Sequence, residues 1–299
     1  GFLGDIDLCI VECTAVTEEG HLILTTGVGN TPVMVKKAKK VIVEINTHQP
    51  EGLEGVHDIY IQDLPPHRKE IPIYKVDDRI GTPYCECGLD KIVCIVESDV
   101  SDKLTPLVPP DEKSKVIARN LTKFFLGEIE AGRLTKSLMP LQSGVGSIAN
   151  AVFLGFLDSP FEDLVMYSEI LQDSVFDLID AGKVKFASAS SFTSNPQILE
   201  RVRNDIERYK KHMLLRPLDI TNHPEMSRRL GVISLNTAIE IDIYGHENST
   251  HVNGTHVVNG IGGSADFTRN AYISVFLTNS TAKNDECSRI VPMVSHVDS

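Results

Sequence analysis

The chain has 299 residues, 41% of them apolar and 23% charged, with a formal net charge of −12 at pH 7. That length has room for two domains with a sizeable core, and the composition is that of a folded globular protein, which excludes an intrinsically disordered chain. The acidic balance argues against general affinity for nucleic acid or an anionic membrane surface.

The first part alternates apolar runs with turns. Ile6 to Val11, Val41 to Ile45, His57 to Ile61 and Ile92 to Val96 read as strands of an α/β layer. Of the 6 cysteines, Cys9, Cys13 and Cys94 sit within strand-like apolar stretches, where free thiols are expected to be buried. Cys85-Glu86-Cys87 with Cys94 matches no standard zinc spacing and has no neighbouring histidine, so no metal site is expected. Proline and charge then break the pattern over Thr105 to Lys113, the expected linker. Two domains follow from it, 1–104 and 105–299.

Immediately afterwards Val116, Ile117, Asn120, Leu121, Phe124, Phe125 and Ile129 trace a helical stripe, with Gly132 near its end. Gly144-Val145-Gly146-Ser147-Ile148-Ala149 has the spacing of a dinucleotide fingerprint with alanine third. The stretch Leu138-Met139-Pro140-Leu141 before it is short and proline-broken, and no acidic residue follows a strand at the expected distance. NAD binding therefore stands as the weaker reading of this loop. Glycines ahead of a helix still expose backbone amides able to hold an anion.

Phe161 to Tyr167 reads as a buried strand, and Ile170, Leu171, Val175, Leu178 and Ile179 as a helix closed by Gly182. Glu169 falls at the junction. A first-turn glutamate stabilised by the helix dipole is one reading. The other is functional, because a carboxylate at the end of a buried strand must find donors and sits where open α/β sheets bind ligands. Asn195 to His212 reads as helical. In Thr221-Asn222-His223-Pro224, Asn222 is a candidate cap for the helix starting near Pro224, and His223 an ordinary surface histidine.

Between Gly231 and Gly245, Ile239, Ile241 and Ile243 alternate with Glu240, Asp242 and Tyr244, the pattern of a strand with one buried face. Asn253-Gly254 between two short apolar runs signals a two-residue hairpin. Gly260-Ile261-Gly262-Gly263-Ser264 is either a tight turn needing positive φ or a side-chain-free approach for a thioester with amides aimed at an oxyanion. No apolar run approaches the ~20 residues that cross a bilayer. The start Gly1-Phe2-Leu3-Gly4-Asp5 lacks a signal-peptide pattern, so a cytoplasmic protein is expected and its Asn-X-Ser/Thr triplets are chance matches.

Four strings together resemble the family I CoA-transferases, in the acetyl-CoA hydrolase/transferase branch that includes succinyl-CoA:acetate CoA-transferases. They are Gln142 to Ser147, Tyr167 to Asp173, Thr221 to Glu225 and Gly260 to Phe267. Thr25-Thr26-Gly27-Val28-Gly29-Asn30 matches a further family string, with Gly27 where relatives usually carry serine. The resemblance implies two open α/β domains, the first incomplete in this chain, with relatives extending beyond both ends. It implies Glu169 as nucleophile, Asn222 as the amide that orients the substrate carboxylate, and Gly263 as the amide donor beside the acyl carbon. Gly144, Val145, Gly146 and Ser147, with Gly262 and Gly263, would contact coenzyme A. The implied activity moves CoA between an acyl-CoA and a small carboxylate such as acetate or succinate, through an acyl-glutamyl anhydride and a glutamyl-CoA thioester. No permanently bound cofactor and a homodimer are implied with it. An acetyl-CoA hydrolase using the same glutamate, and a non-catalytic homologue of the same fold, stay open as alternatives.

Overall fold

The computed structural model describes residues 4–102 and 109–299. The 104/105 division and the linker residues 105–108 lie outside the described residues, as do Gly1 to Leu3. The chain falls into two compact units, Gly1–Pro106 with Phe186–Thr221, and Leu107–Lys185 with Asn222–Ser299. Residues 186–221, read in sequence with the second domain, thus group with the first unit.

In the first unit the described residues form a sheet in the order Leu22–Leu24, Ile6–Val16, Ala38–Asn46, Ile92–Ser98. Ile6–Val16 and Ile92–Ser98 flank Ala38–Asn46 in parallel, and Leu22–Leu24 returns antiparallel. Cys13 is buried in this sheet and Cys9 half-buried, but Cys94 is exposed, contrary to expectation, because the outermost strand turns Val93, Cys94, Ile95 and Val96 to the surface.

His57 to Ile61 is not a strand. Its pairing is limited to isolated bridges, His57 with Leu215 and Ile59 with Thr82. The reason lies in Asp58, whose buried carboxylate accepts from the backbone N–H of Ile80 at 2.9 Å and of Gly81 at 2.7 Å and pairs with the buried guanidinium of Arg216. The segment is pinned by side-chain chemistry, and its backbone serves loops instead of a ladder. The same logic ties in residues 186–221. Ser190 accepts through its carbonyl from Val28 N–H and through Oγ from Gly29 N–H, and Leu218 N–H donates to Gly29 O. Asn195 caps Pro196–Asn204, accepting from Ile198 N–H, and Asp205 breaks the expected helix before Ile206–Tyr209.

In the second unit the parallel strands run in the order Leu164–Tyr167, Leu141–Ser143, Ile233–Thr237, Ile273–Leu277. Asp111 caps the helix Glu112–Glu130, accepting from Ser114 N–H at 2.7 Å. Its buried face runs through Ala118, Leu121 and Phe125, while Val116 and Phe124 are exposed. Phe153, Phe156 and Phe161 stack edge-on beside it, packing that aromatic quadrupoles favour. Ile233–Thr237 alternates apolar Ile233 and Leu235 with polar Ser234 and Asn236, yet all four are buried, as a parallel strand covered on both faces requires.

The alternation expected over Ile239 to Tyr244 is absent, with Ile239, Glu240 and Ile241 all half-buried. Asp242 is buried and Ile243 and Tyr244 are exposed. Asp242 accepts from the N–H groups of Tyr244, His246 and Val294, so the strand Glu240–Asp242 ends in a turn built on that carboxylate. The hairpin at Asn253 pairs Val252 with His256. Its loop is therefore one residue longer than the two expected, with Asn253 and Gly254 at φ +54° and +79°.

Candidate active site

The carboxyl ends of Leu141–Ser143, Leu164–Tyr167 and Ile233–Thr237 open on a cleft of about 390 Å³. It is lined by Glu169, by Gly144 and Val145 of one glycine loop, and by Gly260, Ile261, Gly262 and Gly263 of the other. Glu169 is half-buried and is the charged side chain among the lining residues, which otherwise contribute backbone, amides and hydroxyls. Larger clefts exist, about 550 Å³ beside His48 and Arg203 and about 650 Å³ beside Lys115 and Arg119. Neither combines a carboxylate with glycine turns.

Glu169 is not a first-turn helix residue. Its strand ends at Tyr167, a two-residue strand Ile170–Leu171 follows, and the helix begins at Asp173. The intervening Ser168 is fully buried, donating through Oγ to Ser143 O and accepting from Ser143 N–H, each at 3.2 Å. Ser168 thereby fixes where Glu169 emerges relative to the first glycine loop. Beyond it, Gln172 Oε1 accepts from Gly146 N–H at 3.2 Å.

Asn222 meets Glu169 directly. Its Nδ2 donates to Glu169 Oε2 at 2.9 Å and to Asp266 Oδ2 at 3.0 Å. The capping role expected of it belongs to His223, whose Nδ1 accepts from Glu225 N–H at 3.2 Å. Pro224 holds His223 extended at ψ 128°, the geometry of a cap, and His223 is half-buried instead of a surface histidine.

The two glycine loops rest on one buried amide pair. Gln142 Nε2 donates to Asn236 Oδ1 at 3.2 Å, and Asn236 Nδ2 returns to Gln142 Oε1 at 3.0 Å. Asn236 Nδ2 also lies 2.8 Å from Ser234 Oγ, 3.0 Å from Thr268 Oγ1 and 3.4 Å from Gly263 O. A Cβ at Gly144 or at Gly263 would stand 2.9 Å from Asn236 Oδ1, so close packing on that amide requires glycine at both positions. Gly262 adds a φ of +48°, backbone that a side chain disfavours.

Gly144 N–H donates to Leu235 O at 2.7 Å and Gly146 N–H to Gln172, so those amides are committed. Val145 and Ser147 N–H donate to no atom of the described residues, and neither does Gly263 N–H. Gly146 and Ser147 stand outside the cleft lining. Asn236 and Ser249 were missed in sequence, and Gln142, Ser264 and Asp266 were passed over inside strings already singled out. Asn236 carried the same signal as Glu169, a polar residue at the end of a buried strand.

Two family models match the chain, the acetyl-CoA hydrolase/transferase N-terminal domain over residues 1–99 and the C-terminal domain over residues 200–299. The chain is 50% identical over 293 residues to succinyl-CoA:acetate CoA-transferase of Clostridium kluyveri, which covers 98% of this chain and 54% of that protein. It is 47% identical over 297 residues to acetyl-CoA hydrolase of Schizosaccharomyces pombe, covering 98% of this chain and 57% of that protein. The chain thus spans little more than half the length of these relatives. The solved structure of a 4-hydroxybutyrate CoA-transferase from Porphyromonas gingivalis superposes with a TM-score of 0.67 at 19% identity, over 99% of this chain and 64% of that one. The α/β fold is that of the CoA-transferases.

Proposed function

The chain belongs to the acetyl-CoA hydrolase/transferase family, and from that premise we propose that the Glu169 cleft transfers CoA between an acyl-CoA and a small carboxylate such as acetate or succinate. The observation that carries the reading is the Asn222 amide on Glu169 at the mouth of a glycine-lined cleft, with the uncommitted Gly263 N–H in its wall.

In this mechanism a Glu169 carboxylate oxygen attacks the thioester carbon. The C–S bond breaks, CoA leaves as the thiolate, and an acyl-glutamyl anhydride forms. The thiolate then attacks the glutamyl carbonyl, giving a glutamyl-CoA thioester and releasing the first carboxylate. A second carboxylate reverses both steps, so the kinetics are ping-pong. Gly263 N–H supplies the donor for the oxyanion of each tetrahedral intermediate. Asn222 holds the attacking oxygen in place, and Val145 and Ser147 N–H offer contacts to coenzyme A. The anhydride survives only if water is kept from it. Coenzyme A enters and leaves as a substrate, with no resident cofactor; cytoplasmic location and a homodimer belong to the same proposal.

The test is mass spectrometry of the Glu169 peptide after the longest form of the protein has met acetyl-CoA and borohydride. Reduction of Glu169 to the alcohol is the expected result; an unmodified peptide from protein that turns acetyl-CoA over would overturn the covalent route. Hydrolysis is the second reading, favoured by the name of the fission-yeast relative. It predicts turnover without any acceptor carboxylate, whereas transfer requires one.

A further inference from the structure

Behind the cleft wall, Ser249 Oγ is in hydrogen-bond contact with three oxygens: Thr237 O at 3.1 Å, Ser264 Oγ at 3.0 Å, and Glu247 Oε1. Ser249 and Ser264 line the cleft beside Gly263, while Glu247 is fully buried behind them. Hydrogen counting decides the state of this cluster. Ser249 has one hydrogen, and the Thr237 carbonyl can only accept. With an ionised Glu247, both it and Thr237 would need that hydrogen, and one contact would press two lone pairs together. A protonated Glu247 donates to Ser249, Ser249 donates to Thr237 O, and Ser264 donates to Ser249, so every contact has its hydrogen.

A second observation agrees. Glu247 Oε2 is buried with no hydrogen-bond partner among the described residues, a placement far more costly for half of a carboxylate than for the carbonyl of a neutral acid. The neighbouring Asp298 is built oppositely, with Oδ2 accepting from Ser249 N–H at 2.8 Å and Thr250 Oγ1 at 2.7 Å, and Oδ1 lying 3.1 Å from His296 Nε2.

We infer that Glu247 is a positioning residue held as a neutral carboxylic acid, whose proton sets the direction of the Ser249 and Ser264 hydroxyls and so the shape of the wall beside Gly263. Its ionisation would force Ser249 to turn its hydrogen from Thr237 to Glu247 and loosen that wall. Burial pushes the Glu247 carboxyl up to about 7, against the Ser249 hydrogen bond, with Asp298 adding to the rise and Arg269 opposing it. The other charged groups around it are engaged elsewhere: Glu240 with Asn248, Asp242 with His246, and His296 with Asp298, its ring against His251.

The inference rests on the proposed transferase reading for its kinetic arm alone, so the first measurement needs no turnover. Infrared difference spectra of wild type against Glu247→Gln, on the longest form of the protein with carbon-13 glutamate, should show a protonated carboxyl band at about pH 6 that the variant lacks and that titrates away by about pH 9. No such band overturns the inference, whether or not Glu169 is trapped. In the kinetic arm, wild-type kcat should fall at least about fivefold over the same range, and Glu247→Gln should flatten that fall. A fall of equal size in the variant overturns the positioning role. Where Glu247→Gln does not fold, Ser249→Ala serves instead: it cuts the link, so the band should persist while the fall in kcat disappears, and persistence of both overturns the inference.

Discussion

Asn222 divides its two amide hydrogens between Glu169 Oε2 at 2.9 Å and Asp266 Oδ2 at 3.0 Å, so one neutral side chain spans two carboxylates. That geometry fixes an oxygen of Glu169 without neutralising it. An amide donor localises a carboxylate while leaving it anionic, whereas a lysine there would quench its nucleophilicity. Asn222→Ala should lower kcat about 10²-fold with a much smaller change in KM for acyl-CoA. Steady-state rates at saturating acyl-CoA check this, and an effect confined to KM would mean that Asn222 only binds substrate.

Glu169→Gln keeps the shape and the acceptor for Asn222 but removes the nucleophile. It should abolish the borohydride-trapped species and CoA exchange while leaving the denaturation midpoint close to wild type, since Glu169 is only half-buried. Retained exchange in this variant would sink the covalent mechanism.

Gly263→Ala probes the wall of the cleft. The added Cβ meets Asn236 Oδ1 at 2.9 Å and Gln142 Nε2 at 3.0 Å, both backed by buried partners. The turn or the amide pair must shift, at a cost of about 1–3 kcal/mol. Activity should fall by more than stability loss explains, because the shift moves the Gly263 N–H itself. Chemical denaturation and kcat measured on the same variant separate the two effects.

The legible part of the site was the part carried by unusual residue chemistry in short strings. Glu169 at a strand end and the glycines at 144 and 263 announce themselves, because a buried fold tolerates neither a charge nor a bare backbone without cause. The amide pair Gln142–Asn236 did not, since its meaning lies in a contact between residues 94 apart in sequence. Asn222 illustrates the same limit. Locally it had the sequence context of a helix cap, and only the neighbouring His223 taking the cap shows otherwise. The strand at His57 to Ile61 failed because Asp58 answers to Arg216, 158 residues away, and the alternation at Ile239 to Tyr244 failed because Asp242 is satisfied by backbone donors, one of them from Val294.

The Asp58–Arg216 pair gives a stability prediction for the first unit. Both side chains are buried, and Arg216 also donates to Ser188 Oγ at 2.8 Å and to the Asp78 carbonyl. Arg216→Met strands the Asp58 carboxylate and should cost about 3–5 kcal/mol. Asp58→Asn with Arg216→Met should recover part of that loss, because no buried charge is left alone. Urea unfolding of the single and double variants measures the difference, and a double variant no better than the single would mean that the backbone contacts of Asp58 dominate.

His57 and Glu247 should tilt the pH dependence of stability in opposite directions. His57 is buried, its Nε2–H donates to Thr25 O at 2.9 Å, and burial pushes it from 6.5 down to about 4, with Arg79 adding to the fall. Between those values the unfolded chain holds a proton that the native protein does not, so stability rises with pH across about 4 to 6.5. Glu247 is shifted from 4.5 up to about 7. Across that window the native protein holds the extra proton, and stability falls as pH rises. Replacing His57 with glutamine should therefore make the stability profile fall more steeply toward neutral pH, and Glu247→Gln should make it climb more steeply. Each variant alters the slope by at most one proton over its window. Denaturation midpoints of wild type and both variants, taken from about pH 4 to about pH 7.5, read the slopes directly. Equal slopes for Glu247→Gln and wild type would mean that Glu247 is ionised in the native protein.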